Sequence, residues 1–282
     1  MVTNRDFTYW PSLSDTGKLA YLAQRSDKFN LWLRDLPSGK ETLLASLEGG
    51  INLVSAYINR TGTQLAYSTL HEGKPAIFTI GVGGGTPEKI CEDCGQLRSW
   101  SADRKLMLSQ EGVFEGSKWV AERINRIDAV SGRKTVLLEK NLLYAPDLSP
   151  DGEWVTFQSR ATLADPREQL FVAPMSDGGP VAPERWVAIT KLKYFDANPI
   201  FSRDGKVLYF NSDRDGFTCL WAVRLNPATK KPVDDPYPVK HFHGSPRHYS
   251  WYPIFSVGPD RIIINLEQVQ SDLWMTQLPE EK

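Results

Sequence analysis

Three of the four histidines lie close together near the end of the chain, and their spacing suits metal chemistry. His241 and His243 flank Phe242, so on a β-strand both imidazoles would project to the same side. Two such imidazoles can bind a transition metal together, and His248 would complete a catalytic-type site. The opposing interpretation is an outer strand with exposed histidines followed by a loop. The sequence favours that interpretation and leaves the three histidines as minor metal candidates.

The three cysteines are too few for a disulfide framework. Cys91 and Cys94 have the CxxC spacing of zinc and redox sites. A zinc site would need a second pair of ligands, and only Cys219 remains. A redox motif would need a following helix, and no helical pattern occurs there. We therefore expect a loop between two blades with incidental thiols, and the sequence leaves open whether Cys91 and Cys94 form a local disulfide.

Other short motifs favour turns over chemistry. Gly83, Gly84 and Gly85 lack the Lys-Ser/Thr pair and the helix of a phosphate loop. The segment 213–216, Asp-Arg-Asp-Gly, is similar to part of a calcium loop but lacks the further ligands and the distal glutamate. Neither a GxSxG elbow nor an HExxH motif is present. A Ser-His-Asp triad stays open, because its members can be distant in sequence.

Composition and charge narrow the function classes. The chain has 282 residues, of which 41% are hydrophobic and 24% charged, a globular composition. A net charge of −1 argues against a nucleic-acid groove or an anionic membrane surface. The chain shows neither a signal sequence nor an apolar run approaching about 18 residues, so we expect a soluble protein without membrane insertion. The early first turn suggests a domain from a longer protein, which leaves periplasm and cytoplasm both open.

A turn followed by a strand recurs along the whole chain. Its clearest copy is the run 149–153, Ser-Pro-Asp-Gly-Glu, before the strand residues 154–157; Ser, Pro and Gly suit a type I turn at those positions. The six turns begin at Ser14, Asn59, Ser101, Ser149, Ser202 and Ser256. Their spacings of 45, 42, 48, 53 and 54 residues, with short strands between them, are typical of a propeller.

The repeats predict an all-β, six-bladed β-propeller of four-stranded antiparallel blades that forms a single domain. The predicted blades span residues 7–48, 52–92, 95–140, 143–192, 195–244 and 249–279. The last repeat lacks a fourth strand, and residues 1–6 have no other assignment. We expect residues 1–6 to complete the last blade and close the ring, which would bury unpaired strand edges.

The Ser-Pro-Asp-Gly signature and the Leu-Trp pairs of the third strands resemble the WD40-like propeller repeat of TolB and its relatives. The segment 210–216 and the terminal Asp272-Leu273-Trp274 match that repeat closely. The resemblance covers essentially the whole chain and implies the fold much more specifically than the function. It implies a bacterial binding or sensing domain, of the kind attached to kinases, regulators or peptidases.

The predicted ligand site is the channel mouth at the inner-strand starts. Aromatic rings with a few polar groups suit recognition, because rings bury a large area with few rotatable bonds. The candidates are Trp10, Arg98, Tyr144, Asp147, Asp196, Asn198, Trp251 and Tyr252. For Trp10 and Tyr252, packing between blades is an equal alternative.

We expect a non-catalytic monomer that needs no cofactor and binds a protein or peptide, with a small molecule as a further option. The alternative is a metal-dependent lactonase, hydrolase or lyase, because lactonase-type propellers hold a channel metal with Glu, Asn and Asp. Asp147, Asp196 and Asn198 would serve that role here. The fold does not decide between the two functions.

Overall fold

A computed structural model describes residues 7–25, 28–176, 178–245, 248–249 and 255–267. Within them the regular structure consists of 24 β-strands and one short 3-10 helix, Pro183–Arg185. Alternating and apolar runs bounded by Gly, Pro, Asn and Asp explain this preference for strands.

Five antiparallel sheets of four strands follow one another along the chain. The first contains β1 (Phe7–Leu13), β2 (Lys18–Arg25), β3 (Lys28–Asp35) and β4 (Glu41–Leu47); the second contains β5 (Ser55–Ile58), β6 (Gln64–His71), β7 (Lys74–Gly81) and β8 (Glu88–Glu92). The third contains β9 (Gln96–Trp100), β10 (Leu106–Glu115), β11 (Lys118–Asp128) and β12 (Lys134–Glu139). The fourth contains β13 (Leu143–Leu148), β14 (Trp154–Arg160), β15 (Glu168–Pro174) and β16 (Val187–Ala188); the fifth contains β17 (Asp196–Phe201), β18 (Val207–Ser212), β19 (Cys219–Arg224) and β20 (Tyr237–Lys240).

The prediction of a propeller with four-stranded antiparallel blades is confirmed, but the described residues form five such blades rather than six. The sixth repeat contributes a two-stranded sheet of β22 (Phe255–Val257) and β23 (Ile262–Ile264), and β21 (His248–Tyr249) pairs with β24 (Leu266–Glu267). Its predicted remaining strands draw on residues 1–6 and 268–279, which lie outside the described residues, as does ring closure by residues 1–6.

The repeated turn is built by side-chain hydrogen bonds that the sequence encodes. The Ser149 hydroxyl donates to the Asp151 carboxylate and accepts the Trp154 amide proton at 2.9 Å. The Gly152 amide closes the turn on the Ser149 carbonyl at 2.9 Å, and Gly152 has φ +75°, a value that favours glycine. The same set recurs at Ser202, where Asp204 accepts the hydroxyl proton at 2.6 Å.

The core lies between neighbouring blades. Phe157 of blade four is fully buried with Leu108 and Leu138 of blade three, and Phe210 of blade five packs with Leu170 of blade four. Phe255 of the sixth repeat packs against Leu220 of blade five. Each blade is therefore stabilised by apolar burial against its neighbour, which contributes roughly 25 cal/mol per Å².

Polar side chains on the inner strands also join adjacent repeats. The Ser12 hydroxyl accepts the Ile58 amide proton at 3.0 Å, and the Ser99 hydroxyl accepts that of Leu148 at 3.2 Å. The Ser256 hydroxyl accepts the Leu13 amide proton at 3.0 Å, so the sixth repeat contacts blade one as well as blade five. In blade four Asp147 occupies the corresponding position.

Candidate functional site

Bulges in the inner strands place the predicted site residues at the channel. The pairing of β1 with β2 shifts between Tyr9 and Ser12, and the pairing of β17 with β18 shifts between Ala197 and Ile200. Trp10 and Asn198 lie in these bulges, immediately before a proline, with φ values of +53° and +52°. Proline cannot donate to the strand ladder, so it favours a bulge, and a bulge redirects the side chain beside it.

Two further inner strands also contain a bulge, and one of them repeats the proline and the positive φ. Ala145 precedes Pro146 in the bulge of β13 and has φ +49°. Arg98 is the extra residue in the bulge of β9, between Leu97 and Ser99. Left-handed backbone is uncommon outside glycine and costs of the order of 1 kcal/mol or more per residue. Its recurrence in three inner strands at the same depth marks this level of the channel as a functional candidate.

Two neighbouring cavities lie among the inner strands and share four lining residues. The channel cavity, about 140 Å³, lies between the inner strands and is lined by residues that include Tyr57, Asp147 and Arg203. The mouth cavity, about 480 Å³, opens at the inner-strand starts and is lined by the aromatic residues Trp10, Phe114, Trp119, Tyr144 and Phe195. Trp10, Arg98, Ala145 and Asn198 line both. A volume of several hundred cubic ångströms lined by aromatic rings is typical of a ligand site.

Four of the predicted ligand-binding residues line the mouth cavity together: Trp10, Arg98, Tyr144 and Asn198. The Arg98 guanidinium carbon lies 4.6 Å from the centroid of the Trp10 ring, a cation–π contact. Trp10 is only 3% exposed, and its indole Nε1 has no hydrogen-bond acceptor among the described residues. Trp10 therefore packs between blades and also presents a buried polar atom at the base of the mouth cavity.

Asp147 lies deeper, in the channel cavity. Its Oδ1 accepts the Ser99 hydroxyl proton at 2.8 Å, and its Oδ2 accepts the Phe201 amide proton at 3.2 Å. Burial raises the pKa of Asp147 to about 6, against the lowering effect of these two hydrogen bonds and of Arg203. A carboxyl group that titrates near neutrality in a cavity is a functional candidate. Burial also raises the pKa of Tyr57, which lines the same cavity, to about 12.

Asp196 does not line either cavity, in contrast to the prediction. Its carboxylate is buried and accepts a hydrogen bond from Arg214 at 2.8 Å. The guanidinium of Arg214 in turn lies over the rings of Phe210 and Trp221, at 5.1 and 4.9 Å. The bulge two residues after Asp196 explains the difference, because it redirects Asn198 to the channel and leaves Asp196 within the blade.

The hairpin of β10 and β11 also contributes to the site, although the sequence pattern did not predict it. Its strands have 10 and 11 residues, the longest among the described residues, and its tip supplies Phe114, Lys118 and Trp119 to the mouth cavity. The Phe114 side chain is 65% exposed, and the Trp119 ring contacts Tyr144 with centroids 6.1 Å apart. The unusual length of this hairpin was the signal available in the sequence.

A buried acidic group lies at the edge of the mouth cavity. Glu168 is 2% exposed, accepts hydrogen bonds from Gln158 and Arg160, and lines this cavity with both of them. Burial raises the pKa of Glu168, although Arg160 and Gln158 oppose the shift. Gln158 also accepts the Asn198 amide proton at 2.5 Å, so this network holds the bulge of β17 in place.

The remaining predicted residues lie away from the mouth cavity or outside the described residues. His241 and His243 follow β20 on the outer side of blade five, and neither lines the mouth or channel cavity. The structure does not describe Trp251, Tyr252 or the side chain of His248. Cys91 and Cys94 form a disulfide, and Cys219 is a buried free thiol.

Within the described residues, no helix has the length and apolar character that crossing a bilayer requires.

The fold is similar to several solved propellers. A putative TolB from Agrobacterium tumefaciens matches with a TM-score of 0.62 at 21% identity, over 94% of this chain and 92% of that one. TolB from Acinetobacter baumannii matches with a TM-score of 0.61 at 17% identity, over 82% of this chain and 54% of that one. Oligogalacturonate lyase from Vibrio parahaemolyticus matches with a TM-score of 0.57 at 16% identity, over 83% and 65% of the two chains.

Sequence comparison gives weaker evidence about the fold than the structural neighbours do. A curated relative, the uncharacterized protein Atu1656 of Agrobacterium fabrum, is 25% identical over 156 residues, which cover 52% of this chain. The match spans about half of that relative's length, 53%. No family model matches the chain. The structural neighbours thus identify the fold as a β-propeller similar to that of TolB.

Proposed function

We propose that this propeller is a non-catalytic binding module that holds a peptide segment of a partner protein in the mouth cavity. The supporting observation is the exposed Phe114 on the hairpin of β10 and β11, beside the Trp119–Tyr144 ring contact. Rigid aromatic rings around a cavity of about 480 Å³ can bury an apolar peptide side chain at low entropic cost.

The polar residues would orient the peptide. Arg98 lies stacked on Trp10 at the base of the mouth cavity, and Asp147 lies below it in the channel cavity. Both are held by neighbouring repeats, so their positions exist before a ligand arrives. Preorganisation of this kind raises affinity because less freedom is lost on binding. In a longer parent chain, the same module would serve as a sensor domain.

The geometry supports binding more than the metal-dependent enzyme that the sequence left open. A channel metal would need several carboxylate or amide oxygens to converge. Asp196 is paired with Arg214 within the blade, and within the described residues no group of three His, Cys, Asp or Glu ligands surrounds the channel. Asp147 is held instead by Ser99 and Phe201.

The test is selection of peptides from a displayed random library on the wild-type protein, followed by affinity measurements on variants. Replacement of an aromatic anchor at a binding hot spot costs about 2 kcal/mol, so F114A and W119A should each weaken binding by roughly 30-fold. F217A is the matched control, because Phe217 is 60% exposed but lines neither cavity. The proposal would be contradicted if no peptide were selected, or if F114A and W119A bound the selected peptides as tightly as the wild type does.

The sixth blade is part of the same proposal. The hairpin of β22 and β23 already contacts blades five and one. We infer that residues 1–6 supply its outer strand and so make the ring six-bladed. Deletion of residues 1–6 should then lower the melting temperature by several degrees, and an unchanged melting curve would refute closure by this segment.

A further inference from the structure

Three segments of blade five converge on one point at its outer side. Asp215 lies in the turn between β18 and β19, and Cys219 begins β19. Strand β20 pairs with β19 so that Leu220 lies opposite Lys240. That register brings the residues after Lys240, including His241 and His243, beside Cys219 and the turn.

Four donor atoms meet at this point. The Asp215 Oδ2 atom lies 2.7 Å from His241 Nδ1 and 3.1 Å from His243 Nε2. Together with the Cys219 Sγ atom, all four ligand atoms lie within 4.8 Å of one another. Neither carboxylate oxygen of Asp215 makes a well-directed hydrogen bond among the described residues, although both atoms are shielded from solvent.

This donor set has the chemistry of a zinc site. Zinc takes Cys sulfur, His nitrogen and Asp oxygen in a tetrahedron with bonds of about 2.0–2.3 Å, which separates the donors by roughly 3.3–3.8 Å. Movements of about 1 Å or less would bring the four atoms to those separations. One thiolate and one carboxylate would also neutralise the charge of a divalent ion.

The surroundings hold the ligands in orientation. The Phe242 amide donates a hydrogen bond to Cys219 Sγ at 3.4 Å, a contact that stabilises a metal-bound thiolate. The Phe217 ring lies 4.7 Å from the His243 ring, and Trp221 meets His241 edge-on at 5.9 Å. His241 and His243 therefore pack against aromatic neighbours, while 46% and 40% of their side-chain surfaces remain exposed.

We propose that Asp215, Cys219, His241 and His243 bind one zinc ion. Four protein ligands fill a tetrahedron, so the site is structural and fastens the outer strand of blade five to the turn between β18 and β19. None of the four residues lines the mouth or channel cavity, and the site is therefore independent of peptide binding.

The test uses the full chain, prepared without metal and titrated with Zn²⁺ and with Co²⁺. We expect one ion per chain, tight enough to survive desalting, and visible Co²⁺ bands that include a thiolate charge-transfer band. C219S should remove that band and weaken zinc binding at least 100-fold, as should the double variant H241A/H243A. H71A is the matched control, because His71 lies in a separate group with Glu72 and Glu92 and should leave binding unchanged.

Two controls distinguish loss of the zinc site from loss of the folded structure. Circular dichroism should show that each variant retains its β-structure, and D215N, a nearly isosteric change of the carboxylate ligand, should also weaken zinc binding. The proposal is overturned if the wild-type chain retains no zinc after desalting, if Co²⁺ shows no thiolate band, or if C219S binds zinc as tightly as the wild type. Loss of binding in H71A would assign the ion to a different site and also overturn it.

Discussion

Replacement of Asp147 with Asn should change how stability depends on pH. Burial raises the pKa of Asp147 to about 6 from the usual 3.8, in spite of its hydrogen bonds with Ser99 and Phe201. A carboxyl group with a raised folded-state pKa takes up a proton on folding. The wild type therefore loses stability as the pH rises from about 4 through 6. The difference between 6 and 3.8 corresponds to about 3 kcal/mol, at 1.36 kcal/mol per pH unit.

The asparagine variant keeps the shape of the site without the charge. Its amide oxygen can accept the Phe201 amide proton, and its amide nitrogen can donate to the Ser99 hydroxyl. We expect D147N to match or fall below the wild type near pH 4, and to exceed it by up to about 3 kcal/mol above pH 7. Urea titrations followed by tryptophan fluorescence, at intervals between pH 4 and 8, measure the difference directly.

Asp204 supplies a control of opposite sign. The Ser202 hydroxyl and the Lys206 amide lower the pKa of Asp204, whose contribution to stability is therefore present at neutral pH and lost in acid. D204N should be less stable than the wild type above about pH 4, and the gap should close as the pH falls further. A constant difference between wild type and D147N from pH 4 to 7 would refute the assignment of a raised pKa to Asp147.

Three further predictions follow from packing. F157A should lower the free energy of unfolding by about 3–5 kcal/mol in urea titrations, because Phe157 is fully buried; a loss below about 1 kcal/mol would contradict the inter-blade core. G112A would place a Cβ 2.2 Å from the Val120 carbonyl oxygen and should distort the β10–β11 hairpin, so peptide affinity should fall. Unchanged affinity would show that the hairpin does not take part in peptide binding. R203M removes the hydrogen bond to the Leu13 carbonyl and the ion pair with Asp15, and should cost about 1–3 kcal/mol of unfolding free energy; no loss would show that this link contributes nothing.

The regular part of the fold could be predicted because each repeat contains a recognisable turn motif. The hydroxyl of Ser149 or Ser202 bonds to an aspartate two residues later, and the residue before it packs between blades. These are local interactions that a sequence pattern records. The blade count was predicted from the same spacing, but the described residues extend to five four-stranded blades because the sixth repeat's outer segments lie outside them.

The site was harder to predict because it depends on departures from the regular pattern. Alternation along a strand treats Asp196 and Asn198 as equivalent, whereas the bulge at Asn198 sends only one of them to the channel. The residue before a proline normally takes extended backbone, yet Trp10 and Ala145 have positive φ. The prolines that follow Trp10, Ala145 and Asn198 favour a bulge, but they do not predict the positive φ of the residue before them.

The four residues of the proposed zinc site belong to motifs that are separate in the sequence. Cys219 precedes His241 by 22 residues along the chain, and the long connection between β19 and β20 hides their register. The acidic turn that contains Asp215 was considered for calcium, Cys219 for a second zinc pair, and the histidines for a site with His248. Only the pairing of the two strands shows that Asp215, Cys219 and His241 meet.

Asp147 differs from the residues at the corresponding position of blades one and three, which are serines. Ser12 and Ser99 occupy the corresponding place in blades one and three and make the same hydrogen bond to the next blade. Serine thus satisfies the fold, whereas an aspartate there has a raised pKa that costs about 3 kcal/mol at neutral pH. Serine makes the same link without that cost, so we propose that the Asp147 carboxyl group, which is hydrogen-bonded to Ser99 and Phe201, also contributes to ligand recognition.

The variant D147S tests this directly, because serine can keep the link to Phe201. At pH 7.5 it should be at least as stable as the wild type in urea, while its affinity for the selected peptides should fall by roughly tenfold, about 1.4 kcal/mol. The reciprocal variant S12D should lose stability at the same pH and gain no affinity. If D147S binds peptides as tightly as the wild type, Asp147 has no part in recognition, and the cost of its burial would need another explanation.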